Sequence, residues 1–194
     1  MPIFDIIILA AGAATRFGSA KQLADISGRP MLQHVIESVI SLGLSPYLAL
    51  GAHEETILSS PKIRTDKCQI VSVPNWQSGM SASISCAMQA LKGRSELSDG
   101  VIFLLGDQPG FGPHEIQKML QLAAEEPCRI VCSRYLNTVG VPAFFPRAYF
   151  DELINLQGDR GAKSLLLAYE YHALDFTGCL QDIDRPEDIN RLFE

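Results

Sequence analysis

Residues 6–22 read IIILAAGAATRFGSAKQ, an apolar run that breaks into a small-residue loop and ends among two cations. Ile6 to Ala10 has the length and β-branched content of a strand buried on both faces, the pattern of a parallel sheet. In the loop from Ala11 to Ala14, around Gly12, small side chains let backbone N–H groups approach a ligand, and clustered N–H groups make an anion-binding concavity. Arg16 adds a planar, always-charged fork and Lys21 a mobile point charge. The combination asks for a polyphosphate. It is not a Walker A loop, because Gly12 and Gly18 are one residue too far apart and Ser19 stands where the Lys belongs. Nor is it a dinucleotide fingerprint, which needs a Gly where Ala14 stands. Taken alone, the stretch also fits an ordinary small βα turn with solvated cations nearby.

Outward from this stretch, strands and amphipathic helices alternate. Pro30 opens a helix pattern that places Met31, Leu32, Val35, Ile36, Val39 and Ile40 on its apolar positions, and Gly43 stops it. Residues 47–50 read as a short strand, 54–58 as a weak helix and 59–67 as a polar connection. A strand over 69–73 ends at Pro74, a helix follows over 81–91, and 101–105 is a second fully apolar strand. Residues 113–125 read as a helix and 129–133 as a strand; beyond them come a strand at 142–145 and helices over 147–156, 162–169 and 186–193. This alternation predicts one doubly wound α/β domain over 1–194, three layers with a mainly parallel, Rossmann-like sheet in the middle. Ligands of such domains sit beyond the carboxyl ends of the strands. The loops after Ala10, Val73 and Leu105 therefore belong to one edge.

Composition narrows the class of partner. A hydrophobic fraction of 47% with 20% charged residues is that of a globular chain, and 194 residues suffice for one sizeable core. The net charge of −6 argues against nonspecific binding of nucleic acid or anionic lipid, so a basic loop here means a focused anion site. No apolar run reaches the length of a membrane span, and the first run lacks the flanks of a signal peptide, which predicts a cytoplasmic protein. The five cysteines are odd in number, and Cys128 and Cys132 lack metal-ligand spacing, so buried reduced thiols are expected. His34, His53, His114 and His172 show neither metal spacing nor a position for a base, and read as structural or surface residues.

Three further stretches carry chemistry. Pro74-Asn75-Trp76-Gln77-Ser78-Gly79-Met80-Ser81 joins a strand to a helix; its Asn, Ser and free N–H groups suit a base edge, a ribose hydroxyl or a phosphate, or Ser78 or Ser81 simply caps the helix. Leu104-Leu105-Gly106-Asp107 sets a carboxylate just beyond a buried strand, where it either caps the next segment or, beside a polyphosphate, binds Mg²⁺. Asp182-Ile183-Asp184-Arg185-Pro186-Glu187-Asp188 supplies a second acidic group, with Asp184 equally suited to cap a helix opened by Pro186.

Together these stretches resemble the nucleotidyltransferases of the molybdenum cofactor pathway, the cytidylyltransferase type. The resemblance spans essentially the whole chain. LAAGAATRFGSAKQL is similar to the family's nucleotide loop, NWQSGMSASI to its base and ribose segment, and LLGDQP to its metal-binding Asp. GVPAFFPRAYFDEL followed by LQGDRGAKSLL resembles the acceptor side, and DIDRPEDI the closing acidic motif. The resemblance implies a nucleotide-diphospho-sugar transferase fold. It implies nucleotide contacts from Leu9, Ala10, Ala11, Gly12, Arg16 and Lys21, from Pro74, Asn75, Gly79 and Ser81, and from Asp107. Arg16, Lys21 and Asp107 would carry the catalysis, Asp107 and Asp184 would hold Mg²⁺, and Gln108, Gly140, Pro142, Asp159, Gly161 and Lys163 would face the acceptor.

The implied substrates are CTP and molybdenum cofactor (molybdopterin), with a transient contact to a molybdoenzyme or its chaperone and no nucleic acid or membrane partner. LAAG at 9–12 looks like the cytidine-using form, since the guanylyl form has a second Gly at position 11. The chain departs from the family within Lys21-Gln22-Leu23-Ala24-Asp25, where leucines and a proline are commoner, at Val141, where His is common before the Pro, and at Lys163, where Arg is common after GDxGA. Cytidylyl transfer to methylerythritol phosphate or a sugar phosphate stays open, as does a non-catalytic nucleotide-binding maturation factor for a molybdoenzyme. A nicotinamide-dependent oxidoreductase is disfavoured by the missing G-x-G.

Overall fold

The computed structural model describes residues 2–15, 17–93, 98–135, 138–176, 183, 185 and 187–189. The first apolar run forms β1 (Phe4–Ala10), and residues Ile6 to Ala10 of it are buried, as a strand covered on both faces must be. A two-residue pair follows, β2 (Asp25–Ile26) and β3 (Arg29–Pro30), then α1 (Met31–Ile40) and β4 (Tyr47–Leu50). Next come α2 (Glu54–Leu58), β5 (Gln69–Ser72), α3 (Met80–Lys92), β6 (Gly100–Leu105) and α4 (Pro113–Glu125). The last third is β7 (Ile130–Tyr135), β8 (Thr138–Pro146), α5 (Phe150–Ile154), α6 (Lys163–Ala168) and β9 (Tyr171–Asp175).

Seven strands form one sheet in the order β5-β4-β1-β6-β8-β7-β9. The β4/β5, β1/β4, β1/β6 and β7/β9 ladders are parallel, while β8 runs antiparallel to both β6 and β7. The single α/β domain with a mainly parallel sheet is therefore the architecture expected from the alternation. Side chains alternate between its two faces. Ile7, Leu9 and Phe103 face a layer that includes Ile84, Met88 and Leu91 of α3 with Leu153 and Leu165. Ile6, Ile8 and Leu104 face Leu32, Val35, Ile36 and Val39 of α1, Ile57 of α2, and Ile116 and Met119 of α4. Helices thus cover both faces of the sheet with apolar layers.

Several details differ from the sequence reading. Pro30 belongs to β3 and α1 begins one residue later. Ser78 and Ser81 cap nothing: Gly79, at φ +94°, is the residue before α3, with no side-chain cap. The strand expected over 142–145 starts at Thr138, because β8 carries two extra residues, Val141 and Pro142, between the pairs Cys132↔Ala143 and Ser133↔Gly140. A bulge of that kind spares Pro142 the N–H that a central strand would demand of it. Cys132 is buried and its thiol is pushed up to about 11 by desolvation, but Cys128 is exposed, contrary to the expectation of buried thiols. The helix expected over 186–193 lies outside the described residues except at Glu187, Asp188 and Ile189. Among the described residues no helix is long and apolar enough to cross a membrane.

Candidate active site

Sheet winding reverses between β1 and β6: the chain passes from β1 to β4 and β5 on one side and returns to β6 on the other. Such a switch point opens a crevice at the carboxyl ends of the strands. Here it is a cleft of about 540 Å³, walled by the loop after β1, by the segment between β5 and α3, and by Leu105 at the end of β6 with Gly106 and Asp107 after it.

The loop after β1 is held by its carbonyls. Gln22 Nε2 donates to the carbonyls of Ala10 at 2.9 Å and Gly12 at 3.2 Å. The Ala52 N–H donates to Ala11 at 3.1 Å, and His53 Nε2 lies 2.9 Å from the Ala13 carbonyl, which makes that nitrogen the protonated one. In a trans peptide each N–H points opposite the preceding carbonyl, so anchoring four successive carbonyls turns the following N–H groups away from the anchors. Among the described residues, none accepts from the N–H groups of Gly12, Ala13 or Ala14. Ala14 sits at φ 51°, unusual for a residue with a Cβ and a conformation that clusters at ligand sites. Gln22 is 3% exposed, and its buried Oε1 has no partner among the described residues. Gln22→Met, which keeps the volume but strands the Ala10 and Gly12 carbonyls, is expected to lower stability by about 1 kcal/mol and raise the nucleotide KM. Thermal melts and initial rates check it.

Lys21 and Asp107 are 86 residues apart in sequence, and Lys21 Nζ donates to Asp107 Oδ2 at 2.5 Å inside this cleft. Their side chains are only 13% and 21% exposed. The Asp107 carbonyl also accepts the N–H of Ile183 at 3.2 Å, and Ile183 is fully buried against Ile26 and Met31. The C-terminal segment is thereby tied to the residue expected to bind metal, one position before Asp184. Asp184 and Arg16 themselves lie outside the described residues.

Of the residues expected to bind nucleotide, Leu9, Ala10, Ala11, Gly12, Lys21, Gly79 and Asp107 line the cleft. Pro74, Asn75 and Ser81 do not: Asn75 Oδ1 accepts from the Cys86 thiol at 3.6 Å, and Ser81 is buried in the first turn of α3. Of the residues expected to face the acceptor, Asp159 and Gly161 are brought directly onto Gly79 and Met80. A Cβ on Gly79 would sit 2.8 Å from Asp159 Cα, and one on Gly161 2.8 Å from Met80 Sδ. Gln108 is buried behind Asp107. Gly140 and Pro142 lie in β8 beside the end of β6, and Lys163 Nζ is 3.4 Å from Thr138 Oγ1, so these three stand outside the cleft wall. The sequence reading gave no site role to Gln22, Gly51, His53, Trp76, Ser83 or Gly106. Gly12, Gly51 and Gly106 each follow an apolar strand closely, and that recurrence was a usable signal.

The pattern of the MobA-like NTP transferase domain matches residues 6–173, from β1 into β9. The chain belongs to the MobA-like NTP transferase family. Purine catabolism protein PucB of Bacillus subtilis (strain 168) is 25% identical over 196 residues, covering 95% of this chain and 93% of that protein. The crystal structure of Rv0371c from Mycobacterium tuberculosis H37Rv has a TM-score of 0.84 at 27% identity, over 98% of this chain and 97% of that one. The same protein is also known as a complex with manganese, at a TM-score of 0.79 and 26% identity over 98% of this chain and 97% of that one. Molybdopterin-guanine dinucleotide biosynthesis protein A from Archaeoglobus fulgidus shares the fold, with a TM-score of 0.73 at 16% identity over 96% and 95% of the two chains. The chain is thus a MobA-like nucleotidyltransferase with a cleft at the switch point of its sheet.

Proposed function

We propose that this protein transfers CMP from CTP to the terminal phosphate of molybdenum cofactor and releases pyrophosphate. The observation that carries the nucleotidyl-transfer part is the meeting of Lys21, Asp107 and the carbonyl-anchored loop in one cleft at the sheet's switch point. The choice of CTP rests on LAAG at 9–12, and the choice of acceptor on the GDRGAK segment that packs against Gly79 and Met80.

The donor set at Asp107 fits a hard divalent cation such as Mg²⁺, which takes one or two carboxylates and completes its shell with phosphate oxygens and water. Among the described residues no group of three or more His, Cys, Asp or Glu side chains is assembled to hold a metal, so the phosphates would supply much of the shell. Asp107 and Asp184 would hold the ion, which would polarise the α-phosphate. In the reaction an oxygen of the acceptor phosphate forms a bond to the α-phosphorus. The bond to the bridging oxygen of pyrophosphate breaks, and its electron pair leaves with pyrophosphate. The attacking phosphate is already ionised at neutral pH, so no general base is needed, and none of the four histidines lines the cleft. Lys21, Arg16 and the N–H groups of the loop would neutralise two anionic partners and hold them in line.

Pyrophosphate release tests the reading, measured with CTP and with GTP, each with Mg²⁺ and molybdenum cofactor. Release is expected with CTP at a kcat/KM at least about tenfold above that with GTP. Release with GTP alone would sink the base assignment. Tight CTP binding with no release would point to another phosphorylated acceptor or to a binding-only role.

A further inference from the structure

The ammonium of Lys21 rests on the carboxylate assigned to the metal. We propose that Lys21 is exchanged between two anions: it holds Asp107 in the nucleotide-free protein and moves to the triphosphate when nucleotide enters, so that a divalent cation is admitted to Asp107 only together with nucleotide. This rests on the reading of Asp107 as a metal ligand and adds a condition to it.

Lys21 Nζ sits 2.5 Å from Asp107 Oδ2, and both side chains are largely withdrawn from solvent. A divalent cation on the same carboxylate would lie within a few ångströms of the ammonium, and like charges that close repel strongly where water is scarce. The cation can therefore enter only if Lys21 leaves. Leaving for water surrenders a partly buried, charge-assisted hydrogen bond; leaving for a phosphate oxygen replaces one anion by another. Lys21 and the loop of Gly12 to Thr15 line the same cleft, so its flexible four-carbon stem operates where the triphosphate is expected. Metal and nucleotide then each favour the other's binding through one side chain, and the coupling is reciprocal. A cation that bound alone would meet few protein ligands, since among the described residues Asp107 belongs to no cluster of three or more.

Mn²⁺ binding to the full chain, followed by the electron paramagnetic resonance of the free ion, tests this with and without a non-hydrolysable α,β-methylene CTP. Wild type is expected to bind Mn²⁺ weakly alone and more tightly with the analogue. Lys21→Met is expected to bind Mn²⁺ without nucleotide about tenfold more tightly than wild type, as expected for removal of a charged hydrogen-bond competitor, so that the tightening brought by the analogue is smaller than in wild type by about that factor. Lys21→Gln should agree with it, while Lys21→Arg, which keeps the charge, should stay as weak as wild type. If both neutral variants bind Mn²⁺ no better than wild type while Asp107→Asn abolishes binding, the exchange is wrong and the metal role of Asp107 stands. If Asp107→Asn binds Mn²⁺ as wild type does, with or without the analogue, the metal assignment fails and the exchange with it.

Discussion

Asp107→Asn is expected to lower the Mg²⁺-dependent kcat/KM for pyrophosphate release by roughly a thousandfold while leaving the melting temperature close to wild type. The substitution is nearly isosteric. An Asn carbonyl can still accept from Lys21, and the backbone carbonyl of residue 107 can still accept from Ile183, so the tie to the C-terminal segment survives. What is lost is one full negative charge at the carboxyl end of β6, where the cation and the α-phosphate would converge. Raising Mg²⁺ should recover little, because an amide oxygen is a poor substitute for a carboxylate. Initial rates across a Mg²⁺ series, with a thermal melt of the same sample, separate the chemistry from the fold. Near wild-type turnover in Asp107→Asn would remove this residue from the mechanism.

That Asp107 could be singled out from sequence follows from where it stands. Gly100 to Leu105 is an uninterrupted apolar strand, and a carboxylate two residues past such a strand has few structural duties. The same logic exposed β1 and its loop, since Ile6 to Ala10 is too apolar for an edge and Ala11 to Ala14 too small for packing alone. Other features left weaker traces. The edge strand β9, with Tyr171 and Asp175 exposed and His172, Ala173 and Leu174 half-buried, shows no clean alternation because only one side of it pairs with the sheet. The antiparallel β8 extends beyond the strand read over 142–145: Pro142, where that reading begins, lies in a bulge against β7, and the strand runs back from it to Thr138. Gln22 and His53 act through side-chain hydrogen bonds to carbonyls 12 and 40 residues away, a three-dimensional coincidence with no local periodicity. Arg16 and Asp184 remain assignments by resemblance, outside the described residues.

Gly51 shows how a residue with no chemistry of its own governs the cleft, and Gly51→Ala is expected to damage stability and nucleotide use together. Gly51 follows β4, where the chain passes under the loop after β1 and beside Trp76. A Cβ there would lie 2.8 Å from the Ala11 carbonyl oxygen, 2.8 Å from Trp76 Cβ and 3.0 Å from Ala11 Cβ. These are backbone or first side-chain atoms, so no flexible tip can swing aside and the walls themselves must part. Overpacking of this kind typically costs about 1–3 kcal/mol, a drop of several degrees in melting temperature for a domain of this size. The displaced loop would also lose the register set by the Ala52 N–H on Ala11, so the KM for the nucleotide should rise by about tenfold, the effect of losing one well-placed hydrogen bond. Gly12→Ala is the matched control: its Cβ would meet nothing within 4 Å, so the melt should hold while ligand approach to the loop N–H groups suffers. A Gly51→Ala protein that melts early yet keeps the wild-type KM would show that the loop does not take its position from the end of β4. A parallel loss in both would tie the geometry of the loop after β1 to the packing of three strand ends.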